Sequence, residues 1–233
     1  MQAEERQKKS QELRSNGVLH LRRLIAQDDI EVLRERLQCK TIKTRLQARD
    51  RDCLVQEAEW LTKLDPVFRD SKVYQRCYEV ACKLFNGKCY FGFDHAIVKA
   101  PGSGPVHWHQ DQFYSRVDRD KQCLAFWIPL QAVTPESGGM EYATGLSKGL
   151  LKHEPLFENS HAYRVVDLPP VKTTSPTMDI GDVCIHTPMT LHRSHPNQSE
   201  KPRAAWILQF NRYGMRRFFR LSSIRRHLSR DKN

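Results

Sequence analysis

No stretch of the 233-residue sequence approaches the ~18 consecutive apolar residues that a membrane-spanning helix requires. The first eleven residues mix acidic and basic side chains, and they lack the apolar run of a secretory signal. We therefore expect neither a membrane span nor export. Hydrophobic residues make up 39% and charged residues 28% of the chain, which is the composition of a globular protein and not of a disordered one.

The sequence also lacks a C-x-x-C pair, and its seven cysteines are an odd number. A disulfide framework uses cysteines in pairs, so this count favours free and mostly buried thiols in a reducing compartment. We expect a cytoplasmic protein.

Positive charge is in excess, with a formal net charge of +11. Much of it lies in residues 212–233, which we interpret as a basic, solvated C-terminal helix or tail. A surface for nucleic acid would interleave aromatic and basic side chains, and this segment offers only Phe218 and Phe219. We therefore expect no nucleic-acid partner.

The pattern of apolar residues changes near residue 87. Before it the chain is mainly helical: Ile30, Leu33 and Leu37 form one apolar stripe, residues 57–64 continue a helical pattern, and a helix runs from Ser71 to an exit at 86–87. After it come short β-rich runs between Gly, Pro and Asp residues, at 89–98, 106–114, 123–130, 139–143, 163–168, 182–186 and 204–210. This predicts a mainly β sandwich or jelly roll with flanking α-helices. We expect a single domain in which residues 1–87 pack on a β core at 88–211.

The most informative segment is VHWHQDQFY at 106–114. Residues two apart in a strand face the same way, so His109 and Asp111 are expected to point an imidazole and a carboxylate toward one point. One imidazole from another strand completes a two-histidine, one-carboxylate face, which is typical of non-haem Fe(II) oxygenases because it leaves the opposite side of the metal open.

His192, after a Pro-containing bend, is a candidate for that imidazole. His107 and His195 are the alternatives left open by position; we interpret His107 as lining the pocket and His195 as a loop residue. His186, within an apolar strand, is expected to be a hydrogen-bonded core histidine.

Arg203 stands at the head of an apolar strand. A buried guanidinium is costly unless it is paired, and its planar fork matches a carboxylate. A cosubstrate with two carboxylates would provide that partner.

These motifs, in this order, resemble the phytanoyl-CoA dioxygenase family. The likeness runs from about residue 17 to 210 and rests on HQDQFY (109–114), FWIPL (126–130), TPESGGMEYATGLSKG (134–149), GDVCIHTPMTLHRSHPN (181–197) and KPRA (201–204). It implies a double-stranded β-helix, a jelly-roll or cupin-like fold. It also implies an Fe(II)- and 2-oxoglutarate-dependent dioxygenase that uses O2.

Position by position, the resemblance implies that His109, Asp111 and His192 hold the iron. Arg203, assisted by Ser194, would bind the distal carboxylate of 2-oxoglutarate. Three further residues would line the cosubstrate pocket: Lys99, Gln110 and Trp127. Because Asp111 is present where related halogenases have a small residue, the resemblance favours hydroxylation over halogenation.

We expect the chemistry to transfer from the family but not the phytanoyl-CoA substrate, since one fold hosts many substrates. The expected reaction is hydroxylation of an unactivated C–H bond of a small metabolite, with release of succinate and CO2. Basic charge near the pocket would suit an anionic substrate. Four residues are candidates for the substrate pocket: His107, Phe113, Tyr114 and Glu141.

Two other classes stay open at this point. One is a cupin-like isomerase or hydrolase that uses another metal on the same ligands. The other is a catalytically silent binding module that uses its basic surface. The sequence does not indicate an oligomeric state.

Overall fold

The computed structural model describes residues 3–49, 54–115, 122–145, 149–158, 160 and 162–213. The predicted basic helix or tail lies outside these residues from position 214 onward. Within the described ranges, no helix has the length and apolar character needed to cross a membrane.

The helices lie mainly in the first third of the chain. They are α1 (Ala3–Asn16), α2 (Gln27–Leu37), α3 (Lys40–Lys43), α4 (Leu61–Leu64), α5 (Pro66–Arg69) and α6 (Lys72–Phe85). The predicted stripe on α2 is confirmed: Ile30, Leu33 and Leu37 are all buried. Ser71 caps α6 by accepting a hydrogen bond from the Tyr74 amide at 3.0 Å, and Asn86 ends it in a left-handed conformation.

The larger of two main sheets has seven strands in the order β1-β11-β6-β13-β4-β3-β2. Each neighbouring pair is antiparallel. The strands are β1 (Val18–Leu21), β2 (Gln47–Ala48), β3 (Val55–Glu59), β4 (Tyr90–Lys99), β6 (Cys123–Pro129), β11 (Val183–His186) and β13 (Arg203–Asn211).

The smaller sheet has four strands in the order β10-β7-β12-β5. They are β5 (Val106–His109), β7 (Met140–Thr144), β10 (Lys172–Thr174) and β12 (His192–Ser194), and a separate hairpin pairs β8 (His153–Pro155) with β9 (Tyr163–Val165). From β4 to β13, apart from the β8–β9 hairpin, the chain passes back and forth between the two antiparallel sheets, as in a double-stranded β-helix, so the predicted fold class is confirmed.

Two apolar clusters occupy the two sides of the large sheet. The outer cluster joins the sheet to the helices and includes Leu33, Phe68 and Trp206. The inner cluster includes Trp127 and Ile207 from the large sheet and Tyr142 from the small one. We call the side of the large sheet that carries Trp127 and Ile207 the inner face.

Two local predictions are wrong. Residues 57–64 were expected to be helical, but 55–59 form β3 and only 61–64 form α4. The strand expected at 106–114 ends at His109, and Asp111–Tyr114 form a 3₁₀ turn. Residues 55–59 are a strand because they pair with β4, and residues 111–114 are not a strand because they have no strand pairing within the described chain. A local sequence pattern does not contain this information about distant segments.

Candidate metal centre

His109, Asp111 and His192 converge in the structure. Their candidate ligand atoms all lie within 4.8 Å of one another. The Nε2 atoms of His109 and His192 are each 3.7 Å from Oδ1 of Asp111. This equal spacing around one carboxylate oxygen is suited to a single metal ion.

Strand pairing brings the two imidazoles together. His109 ends β5, His192 begins β12, and the two residues are direct cross-strand partners. Their ring centroids are 4.3 Å apart. The turn after β5 starts at Asp111, so the carboxylate reaches the same point from a turn and not from the extended strand that the sequence indicated.

Backbone carbonyls orient both rings. Nδ1 of His109 donates to the His107 carbonyl at 2.8 Å, and Nδ1 of His192 donates to the Thr190 carbonyl at 2.8 Å. With the proton held at Nδ1, the lone pair of each Nε2 is available toward Asp111, which is the state that a metal requires.

Burial supports the same protonation states. It lowers the pKa of His109 and, together with the neighbouring imidazoles, lowers the pKa of His192 well below its ordinary value. Burial alone would raise the pKa of Asp111, but the His192, His186 and His109 side chains outweigh it and the pKa is lowered. The site thus offers two neutral imidazoles and one carboxylate, a donor set that fits Fe(II).

His186 is a third imidazole at this point. Its Nε2 lies 3.4 Å from Oδ2 of Asp111, and its ring centroid lies 4.5 Å from that of His192. The side chain is buried as expected, but within the described part of the chain neither ring nitrogen has a hydrogen-bond partner. The prediction that His186 is buried is confirmed, and the prediction that its ring is hydrogen-bonded is wrong.

Arg203 and Lys99 are two buried cationic side chains on neighbouring strands. They are cross-strand partners on β13 and β4, on the inner face, and both are almost fully buried. Lys99 Nζ donates to Ser194 Oγ at 3.3 Å and to the His195 carbonyl. Two buried positive charges here would attract an anion.

The Arg203 guanidinium has few partners. It lies 5.5 Å over the Trp127 ring, and one Nη reaches the Ile97 carbonyl at 3.5 Å. Its buried Nε has no hydrogen-bond partner among the residues that the structure describes. Burial lowers its pKa to about 9. An orphaned buried N–H on a cation fits a carboxylate from a bound molecule.

Two predicted residues do not face this space. The Gln110 side chain donates to the Met189 carbonyl at 2.9 Å and accepts from the Leu151 amide at 2.8 Å, so it holds neighbouring loops together. Glu141 alternates with Tyr142 along β7 and pairs with Arg193 at 2.6 Å on the other side of the small sheet. Strand alternation therefore turns Glu141 away from the metal centre.

Phe113 and Tyr114 lie in an aromatic cluster beside the centre. The Phe113 ring stacks on His153 at 4.3 Å and contacts Tyr163 at 4.8 Å. The Tyr114 ring is 6.1 Å from that of His109, and its hydroxyl accepts from the Tyr163 amide at 3.2 Å. His153 and Tyr163 were missed because the β8–β9 hairpin that carries them is far away in sequence.

The two alternative ligand histidines lie elsewhere. The half-buried His107 contributes its carbonyl to orient His109. Nε2 of His195 contacts Ser175 Oγ at 3.0 Å and Glu141 at 3.5 Å. Neither belongs to the group of candidate ligands found in the described residues.

The sequence profile of the phytanoyl-CoA dioxygenase family (PhyH) matches residues 13–205. With the fold and this site, that match places the chain in the family, and so within the superfamily of Fe(II)- and 2-oxoglutarate-dependent oxygenases.

Individual relatives agree with this placement. A probable alpha-ketoglutarate-dependent hypophosphite dioxygenase of Stutzerimonas stutzeri is 30% identical over 125 residues, which cover 50% of this chain and 41% of that protein. The chain thus matches only about two fifths of the length of this curated relative.

Two solved structures have a similar fold. EvdO2 from Micromonospora carbonacea var. aurantiaca has a TM-score of 0.76 and 25% identity, covering 87% of this chain and 89% of its own. The epimerase SnoN, solved with Fe3+, alpha ketoglutarate and nogalamycin RO, has a TM-score of 0.76 and 16% identity, covering 90% and 84%. At that identity the second likeness concerns the fold alone.

Proposed function

We propose that the protein is an Fe(II)- and 2-oxoglutarate-dependent dioxygenase that hydroxylates an unactivated C–H bond of a small metabolite and releases succinate and CO2. The observation that carries the proposal is the meeting of His109, Asp111 and His192 in the same interior that holds Arg203, a buried cation whose Nε has no partner in the described chain. A metal site alone would fit several chemistries, and the buried guanidinium selects a cosubstrate with a carboxylate.

His109, Asp111 and His192 would hold the iron, which when bound supplies the activation of O2 coupled to decarboxylation of 2-oxoglutarate. The carbonyls of residues 107 and 190 keep the two rings oriented before the metal arrives. The Asp111 carboxylate would take the third ligand position, and a carboxylate there favours hydroxylation over halogenation.

Arg203 would bind the distal carboxylate of 2-oxoglutarate, with Trp127 packed against its guanidinium. Lys99 would add a second positive charge, and Ser194, which accepts from Lys99, would assist. Gln110 would act at a distance by holding the loop at 149–151 close to the end of β5. A cosubstrate anchored in a buried, fixed environment loses little energy to reorganisation.

The aromatic cluster would form one wall of the substrate site. The Tyr114 ring lies 6.1 Å from that of His109, and Phe113 and Tyr163 pack around it. Together these rings would position the substrate C–H bond. His107, also near this wall, would serve the site through its carbonyl.

The test is anaerobic reconstitution of the full chain with Fe(II) and 2-oxoglutarate. We expect a visible charge-transfer band that requires both additions and that is absent from Asp111→Ala. On admission of O2, succinate should form together with loss of 2-oxoglutarate. An isomerase or hydrolase on another metal would turn over without O2, and a silent binding module would consume no 2-oxoglutarate. A protein that binds Fe(II) but gives no band with 2-oxoglutarate would contradict the proposal.

A further inference from the structure

A second polar group faces the interior, on β2, β3 and β4. It consists of Arg49, Glu57 and His95, which we call the polar cluster. Nε of Arg49 is 3.2 Å from Oε2 of Glu57, and Nδ1 of His95 contacts Oε1 of the same carboxylate. The three side chains are 21%, 17% and 15% exposed, so each is accessible to a ligand without being fully solvated.

Strand register places the polar cluster on the inner face. His95 is the partner of Ile207, and Glu57 is the partner of Ile97; both isoleucines pack in the inner apolar cluster. Gln47 is the partner of Glu57, and Arg49 follows two residues later on the same side. The cluster thus lies on the same face of the sheet as Lys99 and Arg203, farther toward the β2 edge.

The metal centre adjoins the same interior. Tyr142 of the small sheet packs with Trp127 and Ile207 in the inner apolar cluster, and its ring centroid lies 6.1 Å from that of His192. The inner face of the large sheet, which carries the polar cluster, therefore faces the small sheet that carries His109 and His192.

Glu57 keeps its negative charge in this space. Burial on its own would raise the pKa of Glu57, but His95 and Arg49 outweigh burial and lower it to about 2. Asp111 acts on it in the opposite direction, as expected for a second carboxylate nearby. An anionic substrate would meet the Glu57 carboxylate, and the guanidinium that could attract it is already matched by Glu57.

We propose that Arg49, Glu57 and His95 are the substrate-recognition site and that they select a neutral ring bearing hydroxyl groups. The inference deepens the proposed function, on which it rests, by naming the class of substrate. A hydroxyl can donate to Glu57 and accept from Arg49 at the same time, so it satisfies the pair without adding charge. This replaces the anionic substrate that the basic composition suggested.

Aromatic residues next to the polar cluster suit the apolar faces of such a ring. Phe93 lies 5.2 Å from the His95 ring and is the aromatic side chain nearest the polar cluster on its own strand. The Trp60 ring packs edge-on against Phe93 at 4.8 Å and has Lys63 Nζ over one face, so it supports Phe93. On the metal side, the Tyr114 hydroxyl already accepts from a backbone amide, so its proton can be donated to a substrate oxygen. Polar contacts at one end of the ring would set which C–H bond faces the iron.

The experiment compares two probes that share one ring: methyl β-D-glucopyranoside, which is neutral, and methyl β-D-glucuronide, which carries a carboxylate. Binding to the full chain is measured without iron, by ligand-observed NMR or calorimetry, in the presence of 2-oxoglutarate. We expect the neutral probe to bind about tenfold more tightly or better, a difference of ~1.4 kcal/mol. Glu57→Gln leaves Arg49 unmatched, so this variant should lose the preference or reverse it.

The matched control is Glu79→Gln, which removes the carboxylate of the exposed Arg76–Glu79 pair on α6 and should change neither dissociation constant. Thermal unfolding checks that Glu57→Gln folds; if it does not, Arg49→Gln is used and should weaken the neutral probe without admitting the charged one. The inference would be overturned if the unaltered protein bound the glucuronide more tightly. It would also be overturned if Glu57→Gln left the ratio of the two dissociation constants unchanged, or if neither probe bound. Since these measurements need no iron, they are independent of the charge-transfer band that tests the proposed function.

Discussion

His186 Nε2 lies 3.4 Å from Oδ2 of Asp111, whereas His109 and His192 approach the other oxygen, Oδ1. The two carboxylate oxygens therefore have different neighbours. The separation is long for a strong hydrogen bond, but it places the His186 ring against one side of the carboxylate. His186 would thus limit rotation of the Asp111 carboxylate and keep Oδ1 toward His109 and His192.

Replacing His186 by Phe keeps the ring volume and removes the nitrogen that faces Asp111. We expect Fe(II) affinity to fall by about 10- to 100-fold, the usual cost of losing a group that orients a metal ligand. Metal titration measures this effect directly. His20→Phe is the control, because His20 also contacts an aspartate, Asp182 at 3.0 Å, away from the centre. Equal metal affinity in His186→Phe and the unaltered protein would argue against the orienting role.

Asp111→Ala and His192→Ala should each abolish succinate formation, because the two ligands that remain in each variant would not retain the iron. Iron content after desalting and succinate yield are the measurements. Asp70→Ala, at an exposed ion pair with Arg69, should behave as the unaltered protein. Full activity in Asp111→Ala or in His192→Ala would contradict the assignment of that residue as a metal ligand.

Arg203→Gln should raise the 2-oxoglutarate concentration needed for half-maximal turnover by about two orders of magnitude, since removing one partner of a buried charge pair costs ~2–5 kcal/mol. Iron affinity without 2-oxoglutarate should change little. Lys99→Met should act in the same direction because Lys99 is the cross-strand neighbour of Arg203. An unchanged 2-oxoglutarate requirement in Arg203→Gln would refute the anchor role.

The affinity for 2-oxoglutarate should fall at alkaline pH. Burial lowers the pKa of Arg203 to about 9, with Tyr142 acting in the opposite direction. A bound carboxylate would raise that pKa again, so above about pH 9 the complex binds more protons than the free protein, and affinity decreases as pH rises. Calorimetry on the metal-free protein checks this, and a constant affinity up to about pH 10 would contradict it.

The outer core can be tested separately. Phe68 is fully buried, and its ring lies 5.3 Å from that of Trp206. Phe68→Ala should lower the free energy of unfolding by about 3–5 kcal/mol through lost burial and the cavity left behind. Val32→Ala, at an exposed site on α2, should change it by less than ~0.5 kcal/mol. Denaturant titration of both variants gives the comparison.

The sequence was sufficient for the parts of the site whose chemistry restricts residue type. His109 and Asp111 could be singled out because residues two apart in a strand face the same way, and Arg203 because a cation at the head of an apolar strand needs a partner. The choice of His192 over His107 and His195 came from the family resemblance. The fold class followed from short apolar runs separated by turn residues, a pattern that local sequence carries.

Other parts depend on contacts between distant segments. Glu57 begins a stretch, 57–64, whose pattern predicts a helix, yet pairing of β3 with β4 makes it a strand residue. Strand alternation turned Glu141 outward, which the spacing along the chain could not reveal. His186 lies among apolar neighbours, and only the folded arrangement brings it to Asp111.

The β2–β3 pair lies at one end of the large sheet, whereas the candidate metal ligands lie on the facing small sheet and its adjoining turn. The β3–β4 pairing and the pairing of His109 with His192 belong to different sheets. Under the proposed roles, the groups that recognise the substrate and the groups that hold the iron would therefore stand on separate ladders, and specificity could change along one margin while the metal ligands stay in place.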